Sequence, residues 1–347
     1  MSVTFLIWAP RYQHSSSGIR ALYRLCHHLN TAGYRAAMLI RPLDDGAGGV
    51  PVTAMTWRSR VVAMARLPRR IAGRVWRRVT GRDVHRHGDI PRDWRAPVHH
   101  GRVGRSIVIY PEVVPGNPFA AEKVIRWVLN VPGLLGGDTA YADDELVFCY
   151  DPQRLDDVNR AVSQPIGAER VLWLGLVDPA HIYPDPSVPK TMDCSFTHKG
   201  RALRARFPLP EGVSAVALEA LTPNMAALGD ALRRTRTLYS YDHYSNVLRE
   251  AVICGCDVRV VSADGRWHDP RGCDCVSNIL WPNGFETAYR AQFQDNSFVP
   301  GFIREVRRRW DVPEPNAPAA RLVARALSFV RLCCARLSRN GLCGNRV

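Results

Sequence analysis

Lysine is almost missing from this 347-residue chain: Lys123, Lys190 and Lys199 stand against 44 arginines. That bias fits a GC-rich genome better than a function, but it leaves few ammonium groups for any site that needs one. No uninterrupted apolar run approaches the roughly 18–20 residues that a bilayer-spanning helix requires. The opening SVTFLIWAP is apolar without a basic flank, and reads as a first strand rather than a signal peptide. The GxGxxG turn of dinucleotide sites is also missing. Ten cysteines show no spacing typical of a secreted disulfide framework, which points to a reducing, cytoplasmic setting. Cys254/Cys256 and Cys273/Cys275 are spaced too tightly for zinc knuckles, and are expected to be unpaired thiols. His85, His87, His99 and His100 lie in a Pro- and Arg-rich loop with irregular spacing and no cysteine partner, so no metal centre is expected there.

Acid is scarce where arginine is densest. Residues 58–105 hold 14 arginines against Asp83, Asp89 and Asp93, a net of +11, and residues 317–347 hold six arginines and no acid. With a total of +15, the rest of the chain carries −2, so the body is near neutral and bears two basic attachments. The first reads RSRVVAMARLPRRIAGRVWRRVTGR over 58–82. Its apolar residues fall at helical spacing on either side of Pro68, with Trp76 among the arginines. Such a stretch suits docking on an anionic membrane surface; nucleic-acid contact and an insertion packed on its own domain are the other readings. The tail, over 319–337, reads either as a second membrane-facing helix or as one packed back on the N-terminal half.

Elsewhere the pattern is an alternation of strands and helices, which predicts an α/β fold with parallel sheets. In the first half a strand over 3–8 leads into the polar loop 9–18, a helix over 19–31 ended by Gly33, and a strand over 34–40. The loop lies at the carboxyl end of the first strand, where open α/β sheets bind ligands, so His14, Ser17 and Gly18 are cleft candidates. After the basic insertion come a strand over 106–110, a Pro-rich loop, a helix over 119–130 and a strand over 145–150. Glu112 follows the strand over 106–110, a position that suits acceptor binding or a general base; an idle turn residue is the alternative. The Gly-rich tract 132–137 is expected to border the cleft.

A strand over 171–174 followed by four prolines between 179 and 189 marks the joint between two domains. Beyond it are a strand over 193–197, an element over 213–221 that suits either a strand or a short helix, and a helix over 224–236. The stretch LYSYDHYSNVLREAVICGCDVRVV over 238–261 is the richest in chemistry. It reads as strand, loop, helix, Gly255 and strand, with Ser245-Asn246 as helix caps. Asp242 lies in the loop and Glu250 follows eight residues later on the helix. A loop feeding a helix start can receive a phosphate, and a nearby carboxylate can take ribose hydroxyls.

Asp242, Glu250-Ala251 and Gly255 resemble the donor-site signature of GT-B glycosyltransferases, with Asp where many members have Glu. The resemblance covers most of the chain in layout; at motif level it rests on Lys199 and residues 242–255. It implies two doubly wound Rossmann-like domains facing a central cleft: residues 1–176 on the acceptor side, with a basic insertion near 50–105, and residues 177–347 as the nucleotide-sugar donor domain. By position, Glu250 is implied to hold ribose, Lys199 and Arg201 the diphosphate, and Tyr241, His243, Ser245 and Asn246 to frame the donor. Asp242, Glu112 and His14 are the implied catalytic candidates. The expected activity is transfer of a sugar from a nucleotide-sugar, a substrate rather than a cofactor, to a glycan or lipid-linked acceptor in surface polysaccharide synthesis. No bound metal is implied, because cations and helix dipoles carry the charge. The expected location is cytoplasmic, with a peripheral seat on the inner membrane face as an extension, and nucleic acid is the least favoured partner. A nucleotide-sugar epimerase or hydrolase of the same architecture, or a non-catalytic protein binding membrane or nucleic acid, are the rival readings.

Overall fold

The computed structural model describes residues 4–40, 90–91, 93–99, 102–272, 279, 281–312 and 315. The Arg-rich stretch 58–82, the tail 317–347, His85, His87, His100, Cys273 and Cys275 lie outside them. Ten strands are described: β1 Thr4–Ala9, β2 Arg35–Ile40, β3 Ile107–Pro111, β4 Lys123–Val128, β5 Leu146–Cys149, β6 Met192–Phe196, β7 Ala215–Ala217, β8 Thr235–Ser240, β9 Asp257–Val261 and β10 Trp267–His268. The described α-helices are α1 Ser17–Thr31, α2 Leu155–Asn159, α3 Arg201–Arg206, α4 Leu218–Leu221, α5 Met225–Arg234, α6 Val247–Ile253, α7 Phe285–Gln294 and α8 Phe298–Arg309. Among the described residues no helix is long and apolar enough to cross a membrane.

The strands form two five-stranded sheets, compatible with Rossmann-like folding. The first has the order β2-β1-β3-β4-β5, all parallel. The second has the order β10-β9-β8-β6-β7, parallel except for the short β10 at its edge. Strand β1 shows why the first sheet is buried on both faces. Phe5, Ile7 and Ala9 enter one core with α1 and α8, while Leu6 and Trp8 enter another with Val108, Tyr110 and Val124. All five side chains are fully buried, as a parallel sheet requires.

The stretch expected as a helix over 119–130 contains strand β4. Val124, Ile125, Trp127 and Val128 are β-branched or aromatic, and the run between Pro118 and Pro132 is short. Such a segment gains more from filling the sheet beside β3 than from closing three helical turns. The element over 213–221 is both alternatives in turn, β7 then α4. Residues 171–174 do not form a full strand; Val171 makes a single parallel bridge to Cys149.

Leu172, Leu174 and Leu176 belong to the first core, Val177 and Ile182 to the second. The chain then returns: Val299, Phe302, Ile303 and Val306 of α8 pack into the first core, where Phe302 meets Phe5 and Phe148. The second half is therefore not one contiguous unit, since its last described helix completes the core of the first.

Helix α1 joins the two halves. Ile19, Leu22, Tyr23, Cys26 and Leu29 face the first sheet. Arg20, Arg24 and His28, spaced four apart on another face, are buried as well, because that face meets the second half rather than water. Arg20 Nη1 donates to Glu250 Oε1 of α6 at 2.5 Å and to the Leu176 carbonyl at 3.3 Å. Burial works against both charges; the pairing outweighs burial for Arg20 and holds it protonated, while for Glu250 burial prevails over the pull of Arg20 and keeps its carboxyl above the usual carboxylate range. Arg24 donates to the Phe293 carbonyl at 2.5 Å and lies 3.6 Å over the Phe293 ring. A second Arg24 contact donates to His28 Nε2 at 3.1 Å. Burial, then the Arg24 charge, pushes His28 down to about 3, so it is neutral at physiological pH.

Two outcomes follow from this junction. Glu250→Gln leaves Arg20 buried and unpaired and is expected to cost about 3–5 kcal/mol in urea unfolding, whereas Arg20→Met with Glu250→Leu recovers most of that loss; a cost below about 1 kcal/mol for the single change would show that the pair does not hold the halves together. His28 binds its proton in the unfolded chain but not in the folded one, so its contribution is intact above its ordinary value of 6.5 and is lost as pH falls from there toward about 3. His28→Gln, which keeps an acceptor for Arg24, is expected to flatten acid unfolding in that window by up to about 1.4 kcal/mol per pH unit.

Candidate functional site

The carboxyl ends of both sheets open on one cavity of about 400 Å³. The first half contributes Trp8 and Pro10 from β1 and its exit, Ser15 to Ile19 from the start of α1, Glu112 and Val113 after β3, and Leu129 and Asn130 after β4. The second half contributes His198 and Lys199 after β6 and Tyr244 and Ser245 after β8. Side chains that follow parallel strands converge here because every strand except β10 runs the same way within its sheet.

Several groups on the walls can donate. The first backbone bond closing α1 runs from the Arg20 N–H to the Ser16 carbonyl, so the N–H groups of Ser17, Gly18 and Ile19 have no carbonyl four residues back to bond. Ser16 provides no side-chain cap. The indole N–H of Trp8, fully buried, finds no acceptor among the described residues. Lys199 is exposed, with its ammonium 5.9 Å over the Tyr244 ring. The start of α1 is also bonded to the second half: Ser245 Oγ donates to the Ser15 carbonyl at 3.2 Å, and the Asn246 N–H donates to Ser17 Oγ at 2.9 Å.

Glu112 is the carboxylate on the wall. Its side chain is buried and accepts the Leu129 N–H at 2.9 Å. Burial pushes its carboxyl up, against the opposing pull of that hydrogen bond and of Lys199. Its loop is held from beneath by Arg126, fully buried on β4, which donates to the carbonyls of Val114 at 2.5 Å and Gly116 at 2.8 Å and pairs with Glu145 at 2.7 Å. Gly137 presses on the other side: a Cβ there would fall 1.9 Å from the Glu112 carbonyl, and its φ of +80° suits glycine alone.

Asp242 lies behind the wall rather than on it. It is fully buried, bonded to His198 Nδ1 at 2.6 Å, and accepts the backbone N–H groups of Tyr244 at 2.6 Å, Ser245 at 3.0 Å and Lys199 at 3.2 Å. Burial alone would raise its carboxyl, but these donors outweigh burial and hold it below the usual carboxylate range. Asp242 thereby shapes both loops of the second half. His198 stacks on Phe196 with ring centroids 5.7 Å apart and holds a φ of +32°.

Of the residues proposed from sequence, Ser17, Gly18, Glu112, Lys199 and Ser245 line the cavity. Glu250 does not: its carboxylate is buried against Arg20, so the ribose role does not fit this arrangement. Tyr241 is buried beside Trp267, with Arg204 5.6 Å from its ring. His243 donates through Nε2 to the Val261 carbonyl at 2.8 Å, and Asn246 is buried. Arg201 opens α3 on the surface and His14 is half-buried in its loop; neither is on the cavity wall. Trp8, His198 and Tyr244 were not among the candidates. His198 carried one signal, its place beside Lys199 at the end of a strand.

Glu112→Gln keeps the acceptor for Leu129 and removes the buried charge. Folding raises the Glu112 pKa, so its ionisation weakens the fold progressively as pH rises past the ordinary value of 4.5. The variant is expected to gain stability on the parent steadily as pH rises from 4.5 toward 8, read from urea unfolding at each pH. Parallel stability curves for the two proteins would refute the buried, destabilised carboxylate. No protein-family model matches the chain, and no curated protein or solved structure does so either.

Proposed function

We propose that the chain is a glycosyltransferase of the two-domain GT-B type, moving a sugar from a nucleotide-sugar to a glycan or lipid-linked acceptor. The observation that carries this reading is a cavity at the carboxyl ends of two mostly parallel sheets, lined by donors, a lysine and one buried carboxyl. A departing nucleoside diphosphate gains negative charge, and fixed donors aimed at that charge lower the barrier. Lys199 and the opening N–H groups of α1 supply such donors. An acceptor hydroxyl must lose its proton as its oxygen bonds to the sugar carbon. Glu112, with its carboxyl raised by burial, is the better base for that and takes the proton. Asp242 supports the donor loops from behind, and Glu250 holds the halves together instead of binding ribose.

A cytoplasmic setting, with the basic segments seated on an anionic membrane surface, belongs to the same proposal and fits an acceptor carried on lipid. Ligand-detected NMR against UDP-, GDP-, dTDP- and CMP-sugars and the free nucleotides tests the donor site. One nucleotide class is expected to bind, and Lys199→Ala to weaken it about tenfold. Glu112→Gln is expected to leave donor binding within about twofold while cutting transfer about 10²–10⁴-fold. A folded protein that binds none of these ligands would remove the proposal.

A further inference from the structure

We propose that His198, backed by Asp242, is a pH-gated cationic contact for phosphate in this cavity, so that affinity for a phosphate-bearing ligand follows the protonation of His198 Nε2. The inference deepens the function proposed above and rests on its reading that the ligand carries phosphate.

The first support is the contact of 2.6 Å between His198 Nδ1 and Asp242 Oδ2. Asp242 also accepts three backbone N–H groups, so it is held as a carboxylate and Nδ1 must carry the proton between them. The second ring nitrogen, Nε2, is left for a ligand. When it takes up a proton, the buried Asp242 charge balances the imidazolium.

The second support is how His198 is held. It lines the cavity at the exit of β6, in left-handed backbone conformation that costs a non-glycine residue of order 1–3 kcal/mol. Glu219 of α4 fixes that strained turn by accepting the N–H groups of Thr197 at 2.7 Å and His198 at 2.9 Å. Phe196 fixes the ring plane. A histidine needed only to fill space would not require this combination.

The third support is charge. The groups around His198 are Asp242 at its Nδ1, Glu219 at its backbone N–H, Lys199 next in the chain, Arg204 bonded to the Thr197 hydroxyl at 3.3 Å, and Glu112 among the cavity-lining residues. Asp242 and Glu219 are engaged with the loop itself. Lys199 and the residues that open α1 line the cavity, where an anion would supply the counter-charge. The imidazolium donates Nε2–H to a phosphate oxygen, whereas the neutral ring presents a lone pair and repels that oxygen.

The test is isothermal titration of the full chain with inorganic pyrophosphate, UDP, GDP, UDP-glucose and GDP-mannose at four pH values from 5.5 to 8.5. Comparing the parent with His198→Gln at each pH cancels the titration of the ligands themselves. The parent is expected to bind pyrophosphate about tenfold tighter than His198→Gln at pH 5.5, with the gap closing to about twofold or less at pH 8.5. Lys199→Met is expected to weaken binding at every pH and to leave that pH-dependent gap in place. Parallel curves for parent and His198→Gln would overturn the inference, including the case where His198 merely shapes the loop and binding falls evenly. No pyrophosphate binding by the parent at any pH would overturn it as well. A His198-dependent pyrophosphate response without preference for any nucleotide or nucleotide-sugar would uphold the contact and remove the glycosyltransferase reading.

Discussion

A guanidinium buried between two halves of a protein has to find its counter-charge there, and Arg20 finds it in Glu250. The rest of the arrangement hangs on that pairing. It ties α1, which lies on the first sheet, to α6 of the second half. It brings the start of α1 against the loop after β8, where Ser15 and Ser17 meet Ser245 and Asn246. The width of the cavity between the two sheet edges is set by these contacts. Such a pair adds little net stability over an apolar replacement, but it is intolerant of losing one member. It therefore specifies one relative position of the halves more strongly than it stabilises them.

The same logic recurs at the cavity rim. Loops after parallel strands carry backbone groups that no sheet satisfies, and here buried charged side chains satisfy them. Arg126 gathers the carbonyls beyond β3, and Asp242 gathers the N–H groups beyond β6 and β8. Each fixes a loop bearing one functional candidate, Glu112 or His198. The two loops are thus rigid for opposite electrostatic reasons, a cation under carbonyls on one side and an anion under amides on the other. The wall between is left rich in donors, which is why an anionic ligand suits it.

Much of the scaffold was legible in the sequence, because alternation of buried strands with helices survives without knowledge of the partner surfaces. The strands of the first βαβ unit, the helix between them, and the strand–helix–strand unit around Asp242 and Glu250 all follow from local pattern and glycine placement. Residues 119–130 were not legible in the same way. A short run of Val, Ile and Trp fits a helix face as well as a strand, and only the vacant edge of β3 decides. The stripe Arg20, Arg24, His28 likewise looks like an ordinary solvated helix face until the second half is placed on it. The acid spacing in 242–250 was visible, yet spacing says nothing of whether a carboxylate meets a ligand or another side chain.

The sequence by itself determined the class of fold, the polarity of the strands and hence the end of each sheet at which Glu112, Lys199 and Ser245 would emerge. Those features are local: periodicity, turn residues and strand direction need no distant partner. Only the tertiary structure decided that α8 returns to the first core, that Glu250 turns inward to Arg20, and that His198 joins Asp242 at the wall. Those outcomes depend on desolvating charge, and its cost is fixed by which side chains from remote parts of the chain arrive beside it.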